Sequence, residues 1–208
     1  MSITPKKPPI KESIGAQYIC FNQMTEDFEW TENFETEVEK TETVKKATVT
    51  ENGESNDVYA SGIVYDTDVS SGTTDIEVET IAFVADTLAR MRGENMDSGG
   101  LILSGGNKTR PFFAYGKVVK LKHGKVRYEW FPKCKLAENT DETATKEASF
   151  SEQTDTITIT AYPFNANEDV KAYVDSSSAN FPEGLTEEKF FAKPILTKEG
   201  LATAVSGG

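Results

Sequence analysis

The sequence predicts a mainly β protein: an antiparallel β-sandwich or barrel with one flanking α-helix, a long polar hairpin loop and extended terminal arms. Three observations predict it. Threonine occupies 24 of 208 positions, and β-branched side chains suit a pleated, half-buried surface. Several short segments alternate apolar and polar residues with a period of two. Only one segment in the first 160 residues has the apolar spacing of a helix.

Residues 1–15 are rich in Pro, Lys and Ser and predict an extended N-terminal arm. The main domain is predicted over 16–175. It opens with AQYICFNQ (16–23), whose aromatic and β-branched content suits a first strand. A polar hairpin follows over about 35–62, with Asn52-Gly53 as its turn dipeptide. In TTDIEVET (73–80), Ile76 and Val78 face one side while Asp75, Glu77 and Glu79 face the other. A helix is predicted over 81–93 on the stripe Ile81, Val84, Ala85, Leu88 and Met91, stopped by Gly93. Two strands, 111–122 and 125–134, are joined by His123-Gly124, and TITITAY (156–162) sends Ile157, Ile159 and Ala161 inward. Residues 176–208 read as a loose C-terminal arm with a short amphipathic stretch near 187–193.

Charge narrows the function classes. The net charge is −12, which argues against a protein that grips nucleic-acid phosphates. No apolar run reaches the roughly 18–20 residues of a membrane helix, and Lys6-Lys7-Pro8-Pro9 is unlike a signal peptide. Two cysteines, Cys20 and Cys134, make neither a disulfide framework nor a metal quartet, and both read as reduced thiols. Charge is segregated along the chain: residues 26–42 hold eight acids and one base, and 138–155 six acids and one base, whereas 108–135 hold nine bases and one acid. Either the basic hairpin neutralises the acidic segments within one subunit, or unlike faces meet between subunits.

Catalytic and metal-binding signatures are weak. His123, the one histidine, sits at a hairpin turn where nothing orients an imidazole. Gly105-Gly106-Asn107-Lys108-Thr109 misses the phosphate loop because Asn107 separates the glycine from the lysine and a strand follows. Asp66, Asp68, Ser70 and Glu77 approach calcium-loop spacing, yet Gly72 falls one place late and the flanks read as strands. The carboxylates of 75–79 are more simply the solvent side of a strand than a glycosidase pair. No catalytic residue, cofactor or metal is predicted.

The segments TVTENGESNDVYASGIVYDT (48–67), GTTDIEVET (72–80), IAFVADTLARMRG, RPFFAYGKVV, KVRYEWFPKCKLAE and FSEQTDTITITAYPF follow one another in an order that resembles the major tail proteins of long-tailed, non-contractile bacteriophages of Gram-positive hosts. The likeness covers about residues 45–175. It implies a virion protein, assembled in the host cytoplasm, whose subunits close hexameric rings by joining sheets into an inner barrel and stack them into a tail tube. On this resemblance Asp75, Glu77 and Glu79, then Glu152 and Asp155, line an acidic lumen through which DNA passes without specific binding. The ring-stacking loop contains Glu42, Lys45, Lys46, Asn52, Gly53 and Asn56. Implied partners are further copies of the chain, a tape-measure protein, a tail terminator and a distal tail protein, with no membrane. The alternative is a soluble β-sandwich that binds carbohydrate or a protein receptor, with Trp30 as the candidate platform and Trp130 as core or interface. A contractile-sheath or secretion-system tube protein shares the same fold.

Overall fold

The structure, a computed structural model, describes residues 7–94, 97, 99–106, 108–141, 143, 145 and 153–207. One antiparallel sheet organises them: β1 (Lys11–Phe21), β2 (Glu39–Thr41), β3 (Val44–Ala60), β4 (Ile63–Thr80), β5 (Phe113–Leu121), β6 (Lys125–Thr140), β7 (Asp155–Ala161) and β8 (Ala172–Asp175). Their spatial order is β2-β1-β5-β6-β7-β4-β3, with β8 added on β6.

The long strand β6 divides this sheet into two wings. Its first half pairs with β5 and β8, through Trp130↔Gly116 and Trp130↔Ala172. Its second half pairs with β7, from Cys134↔Ala161 to Thr140↔Thr156. A register break between Phe131 and Cys134 falls at Pro132, which has no amide hydrogen to give to the ladder. Ile19, Phe21, Phe113, Tyr115 and Phe131 of the first wing pack with Ile76, Val78, Leu136, Ile157 and Ile159 of the second. The result is a sandwich with its core between the wings.

The first wing is buried on both faces, mostly through apolar side chains. Tyr18, Cys20, Ala114, Val118, Tyr128 and Trp130 point away from the inter-wing core. They are covered by α2 (Glu187–Phe191), α3 (Lys198–Ser206) and the segment between them, which bury Leu185, Phe190, Phe191 and Ile195. Residues 176–208 are therefore not a loose tail: their large apolar side chains complete a second core. Thr186 and Thr197 cap the two helices, accepting hydrogen bonds from the amides of Lys189 and Gly200. The Tyr18 ring stacks on Phe191 at 3.9 Å, and the Trp130 indole donates to the Phe190 carbonyl at 3.1 Å.

Other expectations shift. The chain at 11–15 belongs to β1 rather than to an arm. The helix α1 is confined to Ala85–Met91, because Thr80 and Ile81 bond the Thr43 carbonyl and keep the chain extended before it. Its buried residues are Thr87, Ala89 and Met91, while Ile81 and Val84 lie exposed. Gly93 ends it with φ 75, the left-handed stop the sequence predicted.

The hairpin turn is at Ser61-Gly62, not Asn52-Gly53. Both turn residues have positive φ, 53 and 78, the geometry of a tight two-residue connection that follows the strand twist. Asn52 instead lies within the strand at a bulge, opposite Gly72 and Thr73, where β4 carries the extra residue. Gly72 lies against it: a Cβ there would stand 2.3 Å from the Asn52 carbonyl oxygen. The base of the hairpin is not wholly polar either, since Val44 and Val49 pack on the inter-wing core.

Candidate functional site: the polar face of the second wing

Strand alternation gives the second wing a face opposite to its core. Three cross-strand rows occupy it. The first runs Lys135, Thr160, Asp75, Thr50; the second Glu138, Thr158, Glu77, Thr48; the third Thr140, Thr156, Glu79, Lys46. Six threonines, four acids and two lysines thus form a lattice with a net charge of −2. None of the twelve is buried.

Threonine fits this surface for two reasons. Its branched Cβ favours the extended backbone, and its hydroxyl keeps the face wet. Asp75 is fixed by the Asn52 side-chain amide at 2.8 Å and the Thr160 hydroxyl at 2.9 Å, both donating to its carboxylate. Glu77, one row on, is exposed to solvent. Residues two apart on a strand stand about 6.6 Å apart, inside the ~8 Å screening length of physiological salt, so the three acids of β4 project one continuous negative stripe.

The structure brings together only part of the predicted set. Asp75, Glu77 and Glu79 share the face. Asp155 alternates onto the same side as Ile157 and Ile159, toward the core edge, so it does not join them. Glu152 lies outside the described residues. Glu138 belongs to the lattice and was missed, although its place in an acidic stretch beside a regular strand was a usable signal. Of the proposed stacking residues, Lys46 and Asn52 fall on this face, Gly53 pairs with Ser71 and Glu42 forms a 3.0 Å ion pair with Lys40. Lys45 is exposed, and for Asn56 only the strand position is described.

The segregated charges do not neutralise one another as a block. In the acidic segment Glu35 and Glu39 meet Arg90, at 2.8 and 3.9 Å. In the basic hairpin Lys117 pairs with Glu129 of its own partner strand at 2.5 Å, and Arg127 with Asp175 at 2.8 Å. Burial pushes Asp175 upward, but the Ser177 hydroxyl and amide and the Arg127 guanidinium outweigh it and hold the carboxyl below its usual range.

Nothing elsewhere assembles a reaction centre among the described residues. His123 is exposed at the β5–β6 turn with φ 65. Cys20 and Cys134 are buried free thiols; burial, with Glu35 nearby, pushes Cys20 up to about 12. Among the described residues no three metal-ligating side chains converge, and no helix is long and apolar enough to cross a membrane. Trp30 is half-buried under the Lys133 ammonium, 5.4 Å from its ring centroid, and is no open sugar platform.

No curated protein matches the sequence. Among solved structures, a chain of the anti-feeding prophage baseplate, determined by cryo-electron microscopy with six-fold symmetry, is similar over 82% of this chain and 97% of its own, at 7% identity and a TM-score of 0.41. The model of the phage tail tube protein family matches residues 33–193. That match spans both wings and reaches α2, and the chain belongs to the phage tail tube protein family.

Proposed function

We propose that this chain closes hexameric rings that stack into a tail tube, with the threonine-and-acid face of the second wing lining the lumen through which DNA leaves the virion. Family membership makes it a structural protein of the phage tail. One observation carries the rest: the chain buries three of its four sheet faces and leaves this one polar and solvent-facing.

Two further features support ring closure. Along the second wing β3 forms one edge and the latter half of β6 the other. The alternation of strand directions makes these edges antiparallel to each other, so a neighbour's β3 laid beside β6 continues the ladder and removes both edges. Within the subunit, Arg110 donates to the Leu136 and Ala137 carbonyls of that edge, at 2.6 and 2.5 Å. A hydroxyl-rich wall on which four carboxylates outnumber Lys46 and Lys135 repels phosphate on balance, which suits a conduit rather than a grip. The tape-measure, terminator and distal tail proteins are the partners this reading requires at the lumen and the tube ends.

The test is electron microscopy of the purified chain across concentration and salt, followed by the double substitution Glu77→Lys and Glu79→Lys. Rings or tubes with a central hole are expected from both proteins, with DNA delivery impaired only in virions built from the variant. Delivery at the unmodified level would place the lumen on another surface.

A further inference from the structure

Among the described strands β8 pairs with β6 alone. It carries one aromatic side chain into solvent: Tyr173 is 56% exposed, whereas Ala172, Val174 and Asp175 are partly buried. The Arg127 guanidinium and the Lys171 ammonium flank the ring, 5.8 and 5.9 Å from its centroid. These contacts steady the ring while much of its surface stays in water.

Tyr173 lines a depression of about 630 Å³, a volume suited to a small ligand. Pro9, Phe181 and Leu201 give it apolar lining, and the loop after β8 adds the polar groups of Ser177, Ser178 and Asn180. Hydrogen bonds within this loop hold it in shape. The Ser177 amide donates to the Asp175 carboxylate at 2.8 Å, the Ser178 amide to the Asp175 carbonyl at 3.0 Å, and the Asn180 amide to the Ser178 hydroxyl at 3.3 Å. Among the described residues the exposed Asn180 carboxamide has no partner of its own. The charges beside the ring are already matched: Arg127 meets Asp175 through two nitrogens, at 2.8 and 2.9 Å, and Lys171 meets Glu51 at 2.6 Å. A cleft with paired ions, an exposed ring and unspent hydrogen-bonding groups fits a neutral ligand that is apolar on one face and hydroxylated at its rim. A pyranose is such a ligand: its C–H face lies flat on an aromatic ring, and its hydroxyls both donate and accept.

We propose that the Tyr173 cleft binds a neutral saccharide, with one pyranose stacked on the Tyr173 ring and its hydroxyls bonded to Asn180 and Ser178. Tyr173 thereby supplies the open aromatic platform that Trp30 does not. The site belongs to the single subunit and does not depend on the tube reading. In a filament it is repeated with every copy, and linked weak sites on one polysaccharide gain about 10²–10⁴ in avidity without any new contact.

Saturation-transfer NMR on the full chain tests it. The probes are the methyl glycosides of glucose, galactose, mannose and N-acetylglucosamine, with maltotriose, cellotriose and chitotriose as oligomers. Transfer is expected to the C–H protons of at least one of these sugars. It should vanish in Tyr173→Ala, persist in Tyr173→Phe, which keeps the ring, and weaken about threefold in affinity in Asn180→Ala, the scale of one lost hydrogen bond. Tyr173 lies outside both cores, so the denaturation midpoint of each variant checks that the fold is retained. Transfer to none of the sugars overturns the proposal, as does undiminished transfer in Tyr173→Ala or loss in Tyr173→Phe. Sugar binding without rings or tubes in the microscope upholds the site and overturns the tube reading; tubes without sugar binding do the reverse.

Discussion

The two wings solve the same problem in opposite ways. Each is an antiparallel sheet with one face on the shared core. The first wing meets its other face with α2, α3 and the aromatic cluster of Tyr18, Trp130, Phe190 and Phe191. The second presents a lattice of Thr and acids to water. One face is finished within the subunit and the other is kept for something outside it, so substitutions on the two faces should act through different observables: folding on the first, assembly and transport on the second.

The largest expected effect is on the closed face. Trp130→Ala removes a fully buried indole and its bond to Phe190, and should cost about 3–5 kcal/mol in chemical denaturation of the subunit. A loss under 1 kcal/mol would mean that the C-terminal helices are not integral to the fold. Next is Gly116→Ala. A Cβ there would stand 2.8 Å from the Phe191 ring and 2.9 Å from Trp130, so overpacking of about 1–3 kcal/mol is expected, read as a lowered Tm.

Asp175→Asn should cost about 1–2 kcal/mol at neutral pH by weakening the bonds to Arg127 and Ser177. The native carboxyl is held below its usual range. Its contribution is therefore present above the unfolded value near 4 and lost as pH falls through the lower folded value. Native and variant unfolding curves should begin to converge as pH falls below about 4 and meet below the lowered folded value. Smallest of all is Thr158→Ala on the lattice, expected within ~0.5 kcal/mol of the unmodified subunit. A large loss of subunit stability there would break the distinction between the two faces.

Much of this was legible in the sequence because strand alternation is local. TTDIEVET and TITITAY each declare an inner and an outer face from their own letters, which is why the acids of β4 could be placed before any coordinates. The His123-Gly124 turn was equally plain. What failed were inferences about where a pattern stops. Asn52-Gly53 has turn chemistry, yet a strand on each side and Gly72 opposite absorbed it as a bulge. The stripe of Ile81, Val84 and Leu88 has helical spacing, yet Thr43 holds the first of these in an extended run.

By itself the sequence determined the β architecture, the inward isoleucines and the negative stripe, since each depends on neighbours two residues apart in one strand. Only the tertiary structure decided that Asp155 turns coreward, that Glu138 and six threonines complete the lattice, and that residues 185–205 roof the first wing. These depend on register between strands distant in the chain, where a shift of one residue reverses every side chain, and no local pattern specifies that register.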